Sequence, residues 1–167
     1  EGVQVWRGEL QIHYMNSDGT LKSNSHLNVQ DANITLHNGA QFGTAIAGMG
    51  DIDGDGIPDL AVGAYKSDGN NRGEVKILFM DTDGSVSSVQ RHDHENGGVG
   101  GNGLNLDGGT RLGYAVENIG DLDGNGVNDV AMGGYMADEA GTPSDSGLVI
   151  IGFLESDGSF GSIAKIK

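Results

Sequence analysis

The sequence lacks cysteine and contains few basic residues, few aromatic residues and little proline. With no cysteine among 167 residues, a disulfide framework and thiolate chemistry are both excluded. Nine Lys and Arg residues stand against 24 Asp and Glu residues, so the net charge is -15. Nucleic acid is not expected as a partner, because phosphate binding needs a basic face. No apolar run is long enough for a membrane span.

Strong acidity raises disorder as an alternative, but the apolar residues argue against it. They make up 36% of the chain and fall in short patterned runs, which favours folded strands. A chain of 167 residues can also hold one domain with a sizeable core. Much of the acidity is concentrated in two glycine-rich loops.

The first of these loops, Asp51–Asp59, has carboxylates at positions 1, 3, 5 and 9. Crowded carboxylates resist ionising together, and a calcium ion, which takes about 6–8 oxygen ligands, removes that cost. Gly54 and Gly56 allow the chain to turn around an ion. An EF-hand loop needs Glu at position 12, where this chain has Val62 in an apolar run. The loop is therefore expected to bind calcium and to join two strands rather than two helices.

The acidic loop recurs 70 residues later as Asp121–Asp129, with Asn125 in place of the third acid. Asparagine keeps an oxygen ligand and removes one charge. The flanking glycine and tyrosine positions repeat at the same spacing. A fixed long period indicates repeated supersecondary units.

Three hairpins are predicted along the chain. Alternating apolar and polar residues predict a strand over Gly8–Met15, and a returning strand over Thr20–Leu27 follows the turn Asn16–Gly19. The two later hairpins are predicted from the strands Gly73–Phe79 and Gly147–Ile151 with the turns Asp83-Gly84 and Asp157-Gly158.

The strands and loops together predict an all-β fold. Strands over Gln41–Ala47 and Leu60–Ala64 flank the first loop, and with the following hairpin they make a unit of four antiparallel strands. Such units without helical patterns between them predict β-propeller blades. The chain then divides into half a blade with its connection at 1–40 and full blades at 41–109 and 110–167.

Two and a half blades make an incomplete ring, since a propeller closes with roughly 4–8 blades. Exposed sheet edges at both ends favour pairing with a partner. The expected partners are other blades of the same propeller or other copies of the chain. Copies that stack head to tail without closing would form a filament.

The order Phe42-Gly43, acidic loop, Gly63-Ala64-Tyr65 resembles the FG-GAP repeat of the integrin α-subunit propeller and of many bacterial and archaeal surface proteins. Tyr65 stands where the family motif has proline, and the second copy begins with Leu112. The resemblance implies that each metal loop joins the first two strands of a blade. Each loop would hold one Ca²⁺ through side-chain oxygens and the backbone carbonyl of its seventh residue. The implied ligands are Asp51, Asp53, Asp55, Ile57 and Asp59 in the first loop, and Asp121, Asp123, Asn125, Val127 and Asp129 in the second.

The expected role is that of a calcium-stabilised extracellular module, secreted or at the cell surface, that serves adhesion or structure. Calcium sites favour an extracellular location for the protein, because millimolar calcium outside the cell fills sites of modest affinity. The alternative is a carbohydrate-binding or protein-ligand-binding module appended to a larger secreted protein or enzyme. Its candidate ligand loops are 28–40, 91–109 and 136–146, since loops carry binding residues.

No catalytic residue set is found. The chain lacks the Gly-x-Ser-x-Gly motif and the spacings of zinc proteases and phosphate loops, so an enzyme is not expected. His92–Glu95 has groups that bind transition metals, but a solvated loop is the preferred interpretation. Gly97–Asn105 is interpreted as a flexible connection between blades, and the glycosylation triplet at Asn33 carries little weight.

Overall fold

The structure is a computed structural model, which describes residues 6–27, 34–98, 103–137 and 145–166. These ranges form ten β-strands without any helix, which confirms the predicted all-β class. A helix suited to crossing a membrane is accordingly absent from them. The strands are β1 (Leu10–Met15), β2 (Leu21–Leu27), β3 (Ile46–Gly50), β4 (Asp59–Ala64), β5 (Glu74–Met80), β6 (Val86–His92), β7 (Leu112–Gly120), β8 (Asp129–Gly134), β9 (Leu148–Leu154) and β10 (Phe160–Ile166).

The strands form one hairpin and two separate four-stranded sheets. The hairpin pairs β1 with β2, the first sheet contains β3 to β6 in chain order, and the second contains β7 to β10 in chain order. All of these pairings are antiparallel. Sheets of four consecutive strands confirm the predicted propeller blades. The acidic loops lie between β3 and β4 and between β7 and β8, where they join two strands as expected.

The predicted strand over Gln41–Ala47 is wrong, because β3 begins only at Ile46. Gln41 has a positive φ of 56°, and Phe42 forms a parallel bridge with the segment before β1. The Phe42 N–H donates to the Arg7 carbonyl at 2.7 Å. The residues before β3 are therefore tied to the hairpin instead of extending the first sheet.

The first sheet is covered on both faces. One face packs against the hairpin in a cluster that we call the hairpin core, and the other packs against the second sheet in the inter-sheet core. The hairpin core includes Leu10, Leu27, Phe42, Val62, Ala64, Leu78 and Met80. The inter-sheet core includes Ala47, Met49, Ala61, Val75, Ile77, Phe79, Leu112, Val116, Val130, Met132, Leu148, Ile150, Leu154 and Phe160.

Glycine permits close backbone contact between the two sheets. A Cβ built on Gly63 of β4 would lie 1.9 Å from the carbonyl oxygen of Gly113 in β7. Gly113 itself has a φ of 85°, which side chains with a Cβ rarely adopt. Gly63 and Gly113 are therefore packing residues of the contact between the two sheets.

The long segments between hairpins and sheets are anchored by buried apolar residues. Ile34 and Leu36 belong to the hairpin core, and Leu104 and Leu106 belong to the inter-sheet core. Parts of the predicted ligand loops are therefore fixed against the sheets. The glycosylation candidate Asn33 and the middle of the glycine-rich connection, 99–102, lie outside the described residues.

Candidate metal centre

The two acidic loops have the same local conformation at the same place in each sheet. Gly54 and Gly56 have φ values of 82° and 90°, and Gly124 and Gly126 have values of 82° and 93°. These left-handed conformations turn the backbone twice within each loop. Each loop therefore curls so that its carboxylates point toward a common centre.

Three carboxylates converge in each loop. Each of the three offers an oxygen, and these oxygens lie within 4.8 Å of one another. Two of the three residues are exposed and the third, at position 9, is buried. A hard cation such as calcium, which binds oxygen ligands in flexible geometry, fits this donor set. The clusters are Asp51, Asp53 and Asp59 in the first loop and Asp121, Asp123 and Asp129 in the second.

The first carboxylate shapes the loop from inside. The two oxygens of Asp51 accept hydrogen bonds from the N–H groups of Gly54 and Gly56, at 2.8 and 2.9 Å. Asp121 accepts the equivalent pair from Gly124 and Gly126, at 2.7 and 2.9 Å. The loop conformation therefore depends on these carboxylates even before a cation is considered.

The buried ninth residue connects the loop to the third strand of its sheet. The two oxygens of Asp59 accept hydrogen bonds from the N–H groups of Ile52, at 2.8 Å, and of Met80 at the end of β5, at 3.0 Å. Burial raises the pKa of Asp59, and the charges of Asp53 and Asp55 act in the same direction. The two backbone hydrogen bonds oppose that rise. A bound cation would offset both the desolvation cost of this buried carboxylate and its repulsion by the neighbouring carboxylates.

The second loop has the same connection. Asp129 is fully buried and accepts the N–H groups of Leu122, at 2.8 Å, and of Leu154 at the end of β9, at 3.0 Å. Asn125 adds a bond that the first loop lacks, because its amide donates to the Leu154 carbonyl at 2.8 Å. The amide that replaces the third acid thus ties this loop to β9.

The fifth and seventh positions are hydrogen-bonded to each other. Asp55 accepts the Ile57 N–H at 2.7 Å, and Asn125 accepts the Val127 N–H at 2.8 Å. Asp55 is not one of the three carboxylates that converge in the first loop. The ligand roles of Asp55 and Asn125 and of the carbonyls of Ile57 and Val127 stay predictions.

Asn128 connects the second loop to the first sheet and was not recognised as important from the sequence. Its amide donates to the Met49 carbonyl, at 2.9 Å, close to the beginning of the first loop. Asn118 of β7 donates in the same way to the Gly48 carbonyl, at 2.8 Å. Position 8 of the loop is not a ligand position, so the loop pattern does not indicate this contact. The two acidic loops therefore lie on the same side of the paired sheets.

The interpretation of His92–Glu95 as a solvated loop is wrong for its first two residues. His92 is fully buried and Asp93 is nearly so. Asp93 pairs with Arg91 at 2.5 Å, and Arg91 also pairs with the buried Glu74 at 2.6 Å. Charged residues are therefore built into this end of the first sheet, although the run of polar residues suggested exposure to solvent.

Comparison with known proteins identifies the repeat. Residues 42–78, which contain the first loop with β3, β4 and most of β5, match the family model described as FG-GAP repeat. The chain carries an FG-GAP repeat. The match begins at Phe42, so the FG-GAP motif starts with the residue that crosses to the hairpin. The predicted resemblance is thereby confirmed.

Integrin α subunits are among the proteins to which this chain is similar. Integrin alpha-4 of Xenopus laevis is 37% identical over 101 residues, which is 60% of this chain and 9% of the relative. Integrin alpha-PS5 of Drosophila melanogaster is 37% identical over 102 residues, with the same two coverages of 60% and 9%. Integrin alpha-IIb of Homo sapiens is 30% identical over 103 residues, which is 59% of the chain and 9% of the relative. The chain thus spans less than a tenth of the length of these relatives.

Proposed function

We propose that the chain is a calcium-stabilised extracellular β-propeller segment with an adhesion or structural role and no enzymatic activity. The observation that carries the proposal is the repeated convergence of three carboxylates at the same place in two sheets. The similarity to integrin α subunits supports the adhesion role and the extracellular location. The proposed unit boundaries, 41–109 and 110–167, place each four-stranded sheet within one unit.

Calcium would act as a staple in each blade. The ion would neutralise the carboxylates of one loop, and the buried ninth carboxylate would link the ion to the end of the third strand through its backbone hydrogen bond. Folding and metal binding would then be coupled, because the carboxylates converge only in the folded chain.

A calorimetric calcium titration tests the proposal. We expect two calcium equivalents for the unchanged chain, one for Asp53→Ala, one for Asp123→Ala, and none for the double variant, because each substitution removes an exposed ligand from one cluster. Glu117→Gln is the control, since it removes an exposed carboxylate from a strand instead of a loop. Equal stoichiometry in all five proteins, or no binding heat in the unchanged chain, contradicts the proposal.

The second sheet has an apolar outer face that supports assembly with further blades. In register, Val149 pairs with Gly133 and Ile166, and Ile151 pairs with Ala131. Val149 is 39% exposed and Ile166 is 58% exposed. The first-sheet equivalents of Ala131, Val149 and Ile151 are Ala61, Val75 and Ile77, which are buried in the inter-sheet core. The outer face consists of Ala115, Ala131, Val149, Ile151, Phe153 and Ile166.

The free face of the hairpin, at the opposite end of the molecule, is polar except at its tip, where Met15 and Leu21 are exposed. The free face of the hairpin carries Gln11, His13, Asn24 and His26, all exposed, with hydrogen bonds between Gln11 and His13 and between Asn24 and His26. Head-to-tail stacking would place the apolar outer face of one copy against the hairpin face of the next. Such stacking is therefore less favourable than contact with a further blade. We therefore propose that the outer face is covered by another blade of the same propeller, or by the same face of a second copy when no such blade is present.

Light scattering in calcium tests this proposal. The chain by itself is expected to self-associate through the outer face, and Val149→Lys is expected to return it to a monomer with an unchanged melting temperature. The matched control is Met15→Lys on the free face of the hairpin, where the side chain is also exposed. A dilute, folded monomer of the unchanged chain contradicts the proposal.

A polar cleft favours the second candidate, a module that binds a carbohydrate or protein ligand. The cleft has a volume of about 290 Å³ and lies where the loops after β4 and β6 meet the segment before β3. Glycan and peptide arrays probed with the unchanged chain and with His94→Ala test this candidate, and binding that survives the substitution would exclude this cleft. The cleft is lined by His37, Asp68, Asn70, Arg72, Arg91, Asp93, His94 and Glu95.

A further inference from the structure

An asparagine of the second acidic loop is bonded to the strand that enters the first acidic loop. Asn128 is the eighth residue of its loop and directly precedes the buried Asp129. Its side-chain amide donates to the Met49 carbonyl, at 2.9 Å, and Met49 lies two residues before Asp51. The contact joins residues that are 79 apart in sequence, so it exists only in the folded chain and connects the two loops.

A second asparagine makes a parallel connection between the strands that enter the two loops. The side-chain amide of Asn118 in β7 donates to the Gly48 carbonyl of β3, at 2.8 Å. The side-chain oxygen of Asn118 accepts the N–H of Gly120, at 2.9 Å, and Gly120 directly precedes Asp121. The ends of β3 and β7 are therefore held together just before each strand enters its acidic loop.

The first copy of the repeat lacks both asparagines. At the repeat distance of 70 residues, Pro58 corresponds to Asn128 and Gly48 corresponds to Asn118. Neither proline nor glycine has a side-chain donor. The two hydrogen bonds are therefore specific to the contact between the first and second sheets and are not a general feature of the repeat.

The contact is close at the turn by which β3 enters the first loop. Gly50, the last residue of β3, has a φ of 76°, and a Cβ built on it would lie 3.2 Å from the amide nitrogen of Asn128. Met49, the acceptor, is 1% exposed and belongs to the inter-sheet core. The Asn128 side chain therefore packs against a fixed part of the first sheet, one residue away from the first loop.

Ordering one loop reduces the cost of ordering the other. Without a cation, the three carboxylates of each loop repel one another, and the glycines of the loop have much conformational freedom to lose. When the second loop is occupied, Asp129 is fixed as a member of its cluster, and the adjacent Asn128 is fixed with it against Met49. The entry to the first loop is then already ordered when a cation binds there.

We propose that the two acidic loops are coupled, so that calcium in one raises the affinity of the other, and that the amides of Asn128 and Asn118 carry this coupling. The inference rests on the proposed function, since it requires calcium in both loops. The effect is reciprocal, because a coupling free energy belongs to the pair of sites. Loss of the Asn128 hydrogen bond is expected to reduce the coupling roughly three- to tenfold.

The charges of the loops act in the opposite direction. A dication in one loop cancels part of the negative charge that attracts a dication to the other loop. Salt weakens this effect, because screening acts over about 8 Å at physiological ionic strength. The carboxylates are the same in every variant that exchanges only a neutral asparagine. A comparison of such variants therefore isolates the contribution of the hydrogen bonds.

Calorimetric calcium titration at physiological salt measures the coupling. The coupling factor is the overall constant for two ions divided by the product of the constants of the single-loop variants Asp53→Ala and Asp123→Ala. We expect this factor to fall roughly three- to tenfold when Asn128→Ala is added to all three proteins. The control is Asn24→Ala, which removes an exposed amide of the hairpin and is expected to leave the factor unchanged. Two bound ions with the same factor in all backgrounds overturn the coupling alone, whereas no binding heat in the unchanged chain overturns the proposed function as well.

Amide hydrogen exchange tests the coupling without any change at Asn128. In Asp53→Ala, whose first loop is disabled, calcium is expected to slow exchange of the N–H groups of Gly54 and Gly56, which donate to Asp51 in that loop. The protection would come from the second loop through the contact with β3. Exchange at both glycines that is indifferent to calcium, while the second loop binds its ion, overturns the proposal.

Discussion

Removal of calcium is expected to lower the melting temperature of the chain by about 10–20 °C. A ligand that binds only the folded state at 100 times its Kd stabilises it by about 2.7 kcal/mol, and the chain has two candidate loops. Stabilisation of about 5 kcal/mol corresponds to a shift of roughly 2–4 °C per kcal/mol in a domain of this size. The measurement is thermal unfolding followed by circular dichroism, in calcium and in excess chelator.

Substitutions separate the two loops in the same experiment. Asp53→Ala and Asp123→Ala are each expected to remove part of the calcium-dependent shift, and the double variant is expected to melt at the same temperature with and without calcium. Glu117→Gln, whose carboxylate is exposed on β7, is expected to keep the full shift. An unchanged chain that is indifferent to chelator would contradict a stabilising role of calcium in this fold.

In calcium-free buffer, Asp59→Asn is expected to destabilise the chain by about 1–3 kcal/mol, whereas Asp53→Asn leaves its stability unchanged or raises it. The buried Asp59 accepts the N–H groups of Ile52 and Met80 with its two oxygens. An asparagine keeps one oxygen and turns an NH₂ group toward the other donor, and an unsatisfied buried donor costs about 1–3 kcal/mol. Asp53 is exposed, and without a bound cation its negative charge repels the neighbouring carboxylates.

Chemical denaturation in chelator measures this difference, with Asp129→Asn and Asp123→Asn as the matched pair in the second loop. The ninth carboxylates are then distinguished as residues with a structural role besides any ligand role. Equal losses for the exposed and the buried carboxylate would show that the hydrogen bonds to Met80 and Leu154 do not contribute separately. A loss that appears only in calcium would show that Asp59 acts as a ligand alone.

The parts of the fold that were predicted from the sequence depend on local patterns. Alternating carboxylates with glycine at two fixed positions define the loop Asp51–Asp59 without reference to distant residues, and the Asp-Gly turns define the hairpins. The exact repeat of 70 residues then placed a second loop in an equivalent sheet. Buried strands such as β5 were recognisable because their apolar residues are continuous.

The parts that were missed depend on contacts between units. Phe42 leaves the expected strand because its N–H bonds Arg7, which lies 35 residues earlier in the chain. His92 is in a polar run, but the turn at Gly158 and the ring of Phe160 in the second sheet pack against it. The loop pattern indicates no role for Asn128, because its amide bonds the first sheet and not its own loop. A pattern within one unit contains no information about the surface of the next unit.

A crystal structure determined from calcium-containing solution would decide whether the two acidic loops hold calcium. Anomalous difference maps collected at a wavelength where calcium scatters are expected to show one peak in each loop, with oxygens of Asp51, Asp53 and Asp59, and of Asp121, Asp123 and Asp129, at about 2.3–2.6 Å from the ion. Loops without an anomalous peak at millimolar calcium would contradict the claim.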